Sequence, residues 1–228
     1  MYPWNNMFAS DIEATGLLED MKRQENPHLH NIGYIDVKTG EEVCIEWTDR
    51  ARIQAFLDTG PTLIMHNGYT FDFEALTFLG YDVSKCTCID TLYISWYLRP
   101  RQMMHGLANY GEEFGVHKPE VEEWENQPQE VYNHRVMEDC KIQYRLWAHQ
   151  WQELLKIYKS PEEAKRFVTF LMTKARQQVI QQRTRWKLNK AKCQAFIDKV
   201  TPMIDEKALA LEESMPRITE YKLMNRPA

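Results

Sequence analysis

Short apolar runs alternate with turn residues through the first half of the chain, at the spacing that strands and short helices produce. The stretch "NMFASDIEA" predicts one strand, and "NIGYIDVKTGEEVCIEW" predicts two more that join at Thr39 and Gly40 as a hairpin. Further strands are predicted in "PTLIMHNG" and at the start of "CTCIDTLYISWYL", and helices in "DRARIQAFLDTG" and "YTFDFEALTFLG". Strands interleaved with helices predict an α/β fold with a mixed sheet.

The second half of the chain carries apolar residues at helical spacing instead. A new helix is predicted to begin after Ser160, because Pro161 and two glutamates follow it, as is typical of helix starts. Helices are predicted to continue to about Met215. We therefore predict a first domain over residues 1–158 and an all-helical extension over residues 159–228.

These two parts differ in charge. Residues 1–158 carry 13 Lys and Arg against 25 Asp and Glu, whereas residues 159–228 carry 15 against 8, which together give the net charge of −5. An acidic first domain argues against nucleic-acid binding through a basic face, unless its acids hold cations. The basic extension can face phosphate or an acidic partner, or its charges can lie on a solvated helical face.

The composition indicates an intracellular protein. Its five cysteines include no C-x-x-C pair, which favours a reducing compartment. The start of the chain lacks the features of a signal peptide, and no stretch approaches the roughly 18 to 20 apolar residues that cross a bilayer. We expect a cytoplasmic protein without membrane association.

The stretch "SDIEATG" places Asp11 and Glu13 two residues apart in a predicted strand, so both side chains leave the same face. Two carboxylates this close repel each other, and no lysine or arginine lies near them in the sequence. A bound metal ion is the economical explanation. The alternative is an exposed edge strand with two solvated acids.

Two more acids belong to other elements. Asn67 and Asp72 follow an apolar strand at its carboxyl end, where α/β sheets place their functional sites. The alternative for Asp72 is that an acid in the first turn of a helix only stabilises that helix through its dipole. Asp139 lies on the long helix among apolar neighbours and is expected to point inward, where an unpaired carboxylate costs several kcal/mol. With Asp11 and Glu13 these carboxylates offer oxygen ligands that suit a pair of Mg²⁺ or Mn²⁺ ions and do not suit zinc.

Five stretches in order resemble the DEDD superfamily of 3′–5′ exonucleases: "SDIEATGLL", "HNGYTFDFEAL", "CIDTL", "HGLANYGEEFGV" and "HRVMEDC". The likeness covers about residues 6–157 and is greatest to the proofreading domains of bacteriophage family A DNA polymerases. It implies a ribonuclease H-like mixed β-sheet flanked by helices. It also implies hydrolysis of terminal phosphodiester bonds with two Mg²⁺ or Mn²⁺ ions.

The same resemblance implies roles for the acids. Asp11 and Asp139 would hold one ion, Asp11 mainly would hold the second, and Glu13 and Asp72 would complete the metal-binding set. All four would be catalytic residues.

The third motif departs from the polymerase pattern, in which a tyrosine usually lies four residues before the last aspartate. Arg135 occupies that position here. His134, five residues before Asp139, matches the histidine subclass of the superfamily, so it is the predicted catalytic base. Tyr132 and Glu138 are interpreted as bystanders.

Five residues are predicted from the resemblance to bind the substrate. Thr15, Gly16 and Leu17 would approach the terminal nucleotide, with Leu17 wedged beside its base, and Asn67 and Phe71 would line the same cleft. Plain core packing is the alternative for Leu17 and Phe71. Single-stranded or frayed 3′ ends are expected, because reaching the metal ions requires unpaired nucleotides.

The basic extension is similar to the helices that follow the exonuclease in family A polymerases. We expect a proofreading exonuclease in phage DNA replication that lacks polymerase activity and whose extension docks a separate polymerase subunit, in the cytoplasm of a bacterial host if a phage encodes it. Two alternatives stay open: an RNA 3′-trimming exonuclease of the same superfamily, and a catalytically idle adaptor that docks a polymerase.

Overall fold

The computed structural model describes residues 2–119, 124–185 and 187–215. The chain divides into two compact units, Met1–Arg183 and Thr184–Ala228. The first unit contains five strands: β1 Met7–Ala14, β2 Leu29–Asp36, β3 Glu42–Glu46, β4 Thr62–Met65 and β5 Thr87–Asp90. Its helices are α1 Leu18–Met21, α2 Arg50–Asp58, α3 Asp72–Phe78, α4 Thr91–Leu98, α5 Leu107–Phe114, α6 Gln129–Tyr158 and α7 Pro161–Thr184, the last of which ends at the boundary between the units.

The strands form one mixed sheet in the order β3-β2-β1-β4-β5. β1 pairs antiparallel with β2, and β2 with β3, which is the predicted hairpin, while β1, β4 and β5 run parallel. The mixed α/β sheet predicted from the sequence is therefore confirmed. Asp49 caps α2 as its position suggested, since its carboxylate accepts a hydrogen bond of 3.2 Å from the Arg52 backbone N–H.

Each face of the sheet packs against a different set of helices. Ile12 and Ile32 contribute to a core with α2 and α3 on one face. On the other face α6 crosses β1 and β2, and the indoles of Trp147 and Trp151 are buried with Ile64. The strand period of two therefore gives β1 one apolar face and one face that α6 covers.

The helix α7 belongs to the first compact unit, whereas the sequence predicted a domain boundary between residues 158 and 159. Ala164, Val168 and Ala175 of α7 are completely buried in the same core as Trp147. Small side chains at helical spacing let α7 pack closely, so the first unit continues to Arg183.

The second unit contains α8, Lys190–Ser214, as the predicted helical extension requires. Asn189 caps it, accepting a hydrogen bond of 3.0 Å from the Lys192 backbone N–H. None of the described residues of α8 is buried. Residues 216–228 of the predicted extension lie outside the described residues. Over the described ranges, no helix is long and apolar enough to cross a membrane.

Candidate active site

The central strand β1 directs two of the predicted acids toward α6. Ala9 packs against Cys140 of α6, and the strand alternation places Asp11 and Glu13 on the same face. The parallel pairing of β1 with β4 extends only from Met7 to Ala9. The carboxyl-terminal half of β1 is therefore free of β4, and other groups can approach it.

A glycine lets α6 approach this sheet closely. A Cβ atom at Gly33, on β2, would lie 3.0 Å from Val136 Cγ1 and 3.1 Å from Cys140 Sγ, so these side chains of α6 would have to shift to admit it. The close approach brings Asp139 to the acids of β1. One carboxylate oxygen from each of Asp11, Glu13 and Asp139 lies within 4.8 Å of the other two.

Asp72, the fourth predicted acid, is the first residue of α3 and is not part of this group of three. Its side chain is buried at the start of the helix that packs against β1. After burial, the charge of Asp72 is the largest cause that raises the pKa of Asp11. The structure thus brings together three of the four acids that the sequence singled out, Asp11, Glu13 and Asp139, and places the fourth on α3, a helix that contacts β1.

Burial and mutual repulsion oppose the ionisation of these acids. Burial is the main cause that raises the pKa of Asp11, Asp72 and Asp139, and it raises that of Glu13 to about 7. The buried Oδ1 of Asp139 has no hydrogen-bond partner among the described residues. A group of oxygen-only ligands whose negative charge is only partly compensated fits a hard divalent cation such as Mg²⁺ or Mn²⁺.

Two cations that are distant in sequence partly neutralise the acids. Lys118 Nζ donates to Asp139 Oδ2, and Arg135 Nε donates to Glu13 Oε1 at 2.9 Å. The guanidinium group of Arg135 lies 5.1 Å from the centre of the Trp124 ring. The sequence near Asp11 and Glu13 gave no sign of either cation, although Arg135 had been noted at the position where tyrosine is usual.

Two buried polar residues hold the site in shape, and the sequence analysis assigned no role to either. Gln143 is completely buried one helical turn after the aspartate of α6, and its Nε2 donates to Asp11 Oδ1 at 2.8 Å. Asp90 accepts hydrogen bonds from the backbone N–H groups of Asn67 at 3.0 Å and Tyr69 at 3.2 Å. Asp90 therefore fixes the loop that leads into α3. The only sequence feature that pointed to Asp90 was its place in the stretch "CIDTL".

Replacement of Gln143 by leucine is expected to weaken metal binding. The change keeps the approximate volume but removes the donor that orients Asp11, and losing such a supporting hydrogen bond costs about 10- to 100-fold in metal affinity. The measurement is the Mg²⁺ concentration that gives half of the metal-dependent rise in Tm.

Gln150→Leu is the matched control. Gln150 is buried on the same helix, and its Nε2 donates to the Thr91 carbonyl at 2.9 Å, away from the acids. Both variants lose one buried hydrogen bond, so both should be less stable. An equal Mg²⁺ requirement in the two variants would show that Gln143 has no role in the metal site.

The structure does not bring the predicted base into contact with the acids. His134 is exposed on α6, and none of its described contacts is with one of the four carboxylates. Tyr132 is buried, and its hydroxyl donates to the Trp124 carbonyl at 2.6 Å. Glu138 pairs with Lys141 at 2.9 Å.

The residues predicted to bind substrate lie at the ends of β1 and β4. Thr15 Oγ1 donates to Gln24 Oε1 at 2.6 Å, and Leu17, two residues later, is 69% exposed. Gly16 lies between them. Asn67 has a left-handed backbone with φ of 68°, and Phe71 packs partly against the core. Leu17 is thus available to a ligand, whereas Phe71 also contributes to packing.

Comparison with solved structures shows the same fold in several proteins. A structure described as the apo form of a nuclease has a TM-score of 0.57 and 19% identity, over 78% of this chain and 86% of the other. NrnC of Brucella melitensis with bound Mg²⁺ has a TM-score of 0.54 and 21% identity, over 77% and 86%, and NrnC bound to pGG has 0.53 and 20%, over 77% and 85%. The catalytic core of RRP6 from Trypanosoma brucei has 0.52 and 13%, over 77% and 47%.

These similarities confirm the predicted ribonuclease H-like fold of the first unit. No family model matches the chain. No curated protein sequence matches it either.

Proposed function

We propose that this chain is a metal-dependent 3′–5′ exonuclease that hydrolyses the terminal phosphodiester bond of single-stranded or frayed DNA 3′ ends. The observation that carries the proposal is the group of oxygens from the partly buried Asp11 and the buried Glu13 and Asp139, within 4.8 Å of one another at the end of the central strand. Support comes from neighbours of the same fold, one described as a nuclease and one described with bound Mg²⁺.

Asp11, Glu13, Asp72 and Asp139 would hold two Mg²⁺ or Mn²⁺ ions. Such ions, when bound, activate water and stabilise the charge that develops on the phosphate and on the leaving oxygen. Gln143 keeps Asp11 oriented through its hydrogen bond of 2.8 Å. Without ions, Lys118 and Arg135 neutralise part of the acidic charge through their pairs with Asp139 and Glu13.

We assign His134 the role of proton acceptor for the attacking water. Arg135 faces the acids more closely, but a guanidinium group is always protonated in proteins and cannot accept a proton. Histidine readily exchanges a proton at neutral pH. His134 is adjacent to Arg135 and exposed, so its side chain is free to change rotamer when a substrate is present.

The 3′ end would lie beside Thr15, Gly16 and Leu17. Glycine allows close approach of the substrate to the backbone. The side chain of Leu17 is exposed and would separate the terminal base from its neighbour, while Asn67 and Phe71 would line the opposite side. An end that is unpaired reaches the acids more easily than one held in a duplex.

We also propose that the protein proofreads for a separate polymerase subunit that docks on the helical extension. The extension is basic, and α8 exposes large apolar side chains at Phe196, Ile204 and Leu211. Exposed apolar side chains on an otherwise polar helix favour a protein partner.

Digestion of RNA 3′ ends is the second candidate. It is favoured by the similarity to NrnC, one structure of which contains pGG.

The test compares DNA and RNA oligonucleotides of one sequence, labelled at the 5′ end, with Mg²⁺ or with EDTA. We expect stepwise shortening from the 3′ end in Mg²⁺ alone, faster for single-stranded DNA than for RNA or for a blunt duplex. Faster shortening of RNA would select the second candidate. Tight binding of both oligonucleotides without any Mg²⁺-dependent shortening would contradict nuclease activity and support the idle adaptor.

A further inference from the structure

A cavity of about 500 Å³ lies beside the carboxyl end of β1. Thr15 lines it, two residues after the metal-site acid Glu13. Trp124 forms the wall of the cavity next to Thr15, and its Nε1 donates to the Ala14 carbonyl at 2.8 Å. The cavity is thus adjacent to the acids, but it contains none of them.

A β-bulge shapes its back wall. Glu13 pairs with Asn31 and Ala14 pairs with Leu29, so His30 is an extra residue in β2. A bulge re-aims the side chain of the extra residue.

The imidazole of His30 stacks on the ring of Tyr132, with 3.6 Å between centroids and an angle of 3°. Tyr132 is anchored in turn, because its hydroxyl donates to the Trp124 carbonyl at 2.6 Å. The back wall is therefore an ordered aromatic surface.

The outer wall offers a further aromatic surface to a ligand. The rings of His28 and Trp47 lie 4.8 Å apart at an angle of 39°. Trp47 is nevertheless 44% exposed, so part of its indole faces solvent. An exposed indole beside a cavity is a ready stacking surface for a planar ligand.

The polar groups of the cavity suit the edge of a nucleobase and do not suit a phosphate group. Five of its lining residues are amides: Gln24, Asn26, Asn126, Gln127 and Gln129. The side chain of Gln24 is already bonded to Thr15, and Gln129 Nε2 already donates to the His30 carbonyl and to Asn133 Oδ1. Amide groups donate and accept, as base edges do. The described lining contains no lysine or arginine, and its one carboxylate, Glu125, repels phosphate. Burial lowers the pKa of His30 to about 4, so this imidazole is uncharged at neutral pH.

We propose that this cavity binds one nucleobase of the substrate strand, by stacking on Trp47 and hydrogen bonding to the lining amides. The inference deepens the proposed function, because it places the base on the strand whose 3′ end lies at Asp11 and Asp139. The base belongs to a nucleotide close to the 3′ end, since the cavity begins at Thr15, two residues after Glu13. Stacking of one base on an aromatic side chain contributes roughly 10-fold or more in affinity.

The experiment measures binding of a 5′-fluorescent single-stranded oligonucleotide in EDTA, where no metal-dependent hydrolysis occurs. Three further oligonucleotides carry an abasic residue at the last, second-last or third-last position. In the wild-type protein, one of the three abasic substitutions should weaken binding about 10-fold. Trp47→Ala should weaken binding of the intact oligonucleotide by the same factor and should abolish the penalty of that abasic substitution.

Trp96→Ala is the matched control, because Trp96 is also a 44% exposed indole but lies on α4, outside the cavity. It should keep both the affinity and the abasic penalty. Equal abasic penalties in the Trp47→Ala and wild-type proteins would overturn the inference. Failure of the nuclease proposal would be recognised separately, by the absence of Mg²⁺-dependent shortening in the wild-type protein.

Discussion

Replacement of Asp11 by asparagine is expected to lower metal-dependent nuclease activity by at least about 10³-fold, because the interactions of bound metal with the reacting groups contribute several kcal/mol. The same change is expected to raise the Tm of the metal-free protein at pH 8. Burial and the charges of Asp72 and Asp139 raise the pKa of Asp11, so its ionisation destabilises the folded state. Asparagine has a similar shape and retains an oxygen that can accept from Gln143. Activity and stability should therefore change in opposite directions.

The measurements are digestion of a labelled oligonucleotide in Mg²⁺ and thermal unfolding in EDTA. Each kcal/mol gained should raise Tm by about 2–4 °C in a protein of this size. Asp58→Asn is the control, since the Asp58 side chain is 47% exposed and pairs with Lys85 at 3.4 Å, away from the site. It should alter neither quantity appreciably. Retention of full activity by Asp11→Asn would refute the proposed metal site.

The stability of the wild-type protein should depend on pH for the same reason. The pKa of Glu13 is raised from 4.5 to about 7, so the folded state holds a proton that the unfolded chain has already lost. Stability in EDTA should consequently fall as pH rises through that interval, and Mg²⁺ should restore more of it at about pH 8 than at about pH 5. Equal stabilisation by Mg²⁺ at both pH values would contradict this account.

The arrangement of the acids was predictable because it depends on local periodicity. Asp11 and Glu13 alternate with Ile12, which the strand period assigns to the opposite face, and Asp139 lies among apolar residues of an amphipathic helix. Asp72 begins a helix after a buried strand. Each of these signals lies within a few residues of the acid, so the sequence contains it directly.

The sequence does not predict features that form only when elements far apart in the chain come into contact. Lys118 reaches Asp139 only once the segment after α5 lies beside α6. The bulge at His30 depends on the register between β1 and β2. The hydrophobic pattern of the sequence does not show where a single extra residue enters one strand. The packing of α7 depends on small residues such as Ala164, which are equally common on exposed helices.

Replacement of His134 by alanine is expected to lower kcat at neutral pH by about 10²-fold, which is the lower end of the contribution of general base catalysis. The side chain is exposed, so its removal should leave Tm nearly unchanged. Added imidazole should restore part of the activity of His134→Ala, because a free base can occupy the vacated position. Rescue of this kind distinguishes a proton acceptor from a residue that only supports the helix.

Tyr132→Phe is the informative comparison, since it removes only the hydroxyl that donates to the Trp124 carbonyl at 2.6 Å and Tyr132 lies on the same helix as His134. Its effect on kcat should be less than about 3-fold, because the change removes two hydrogen bonds of the fold, the second accepted from the Gln127 backbone N–H at 3.2 Å, each contributing roughly 0.5–1.5 kcal/mol to stability and not to the reaction. An unchanged kcat in His134→Ala, together with a large loss of kcat in Tyr132→Phe, would assign the role of the base to Tyr132 instead of His134. An unchanged kcat in both variants would mean that the acids activate the attacking water without a side-chain base on this part of α6.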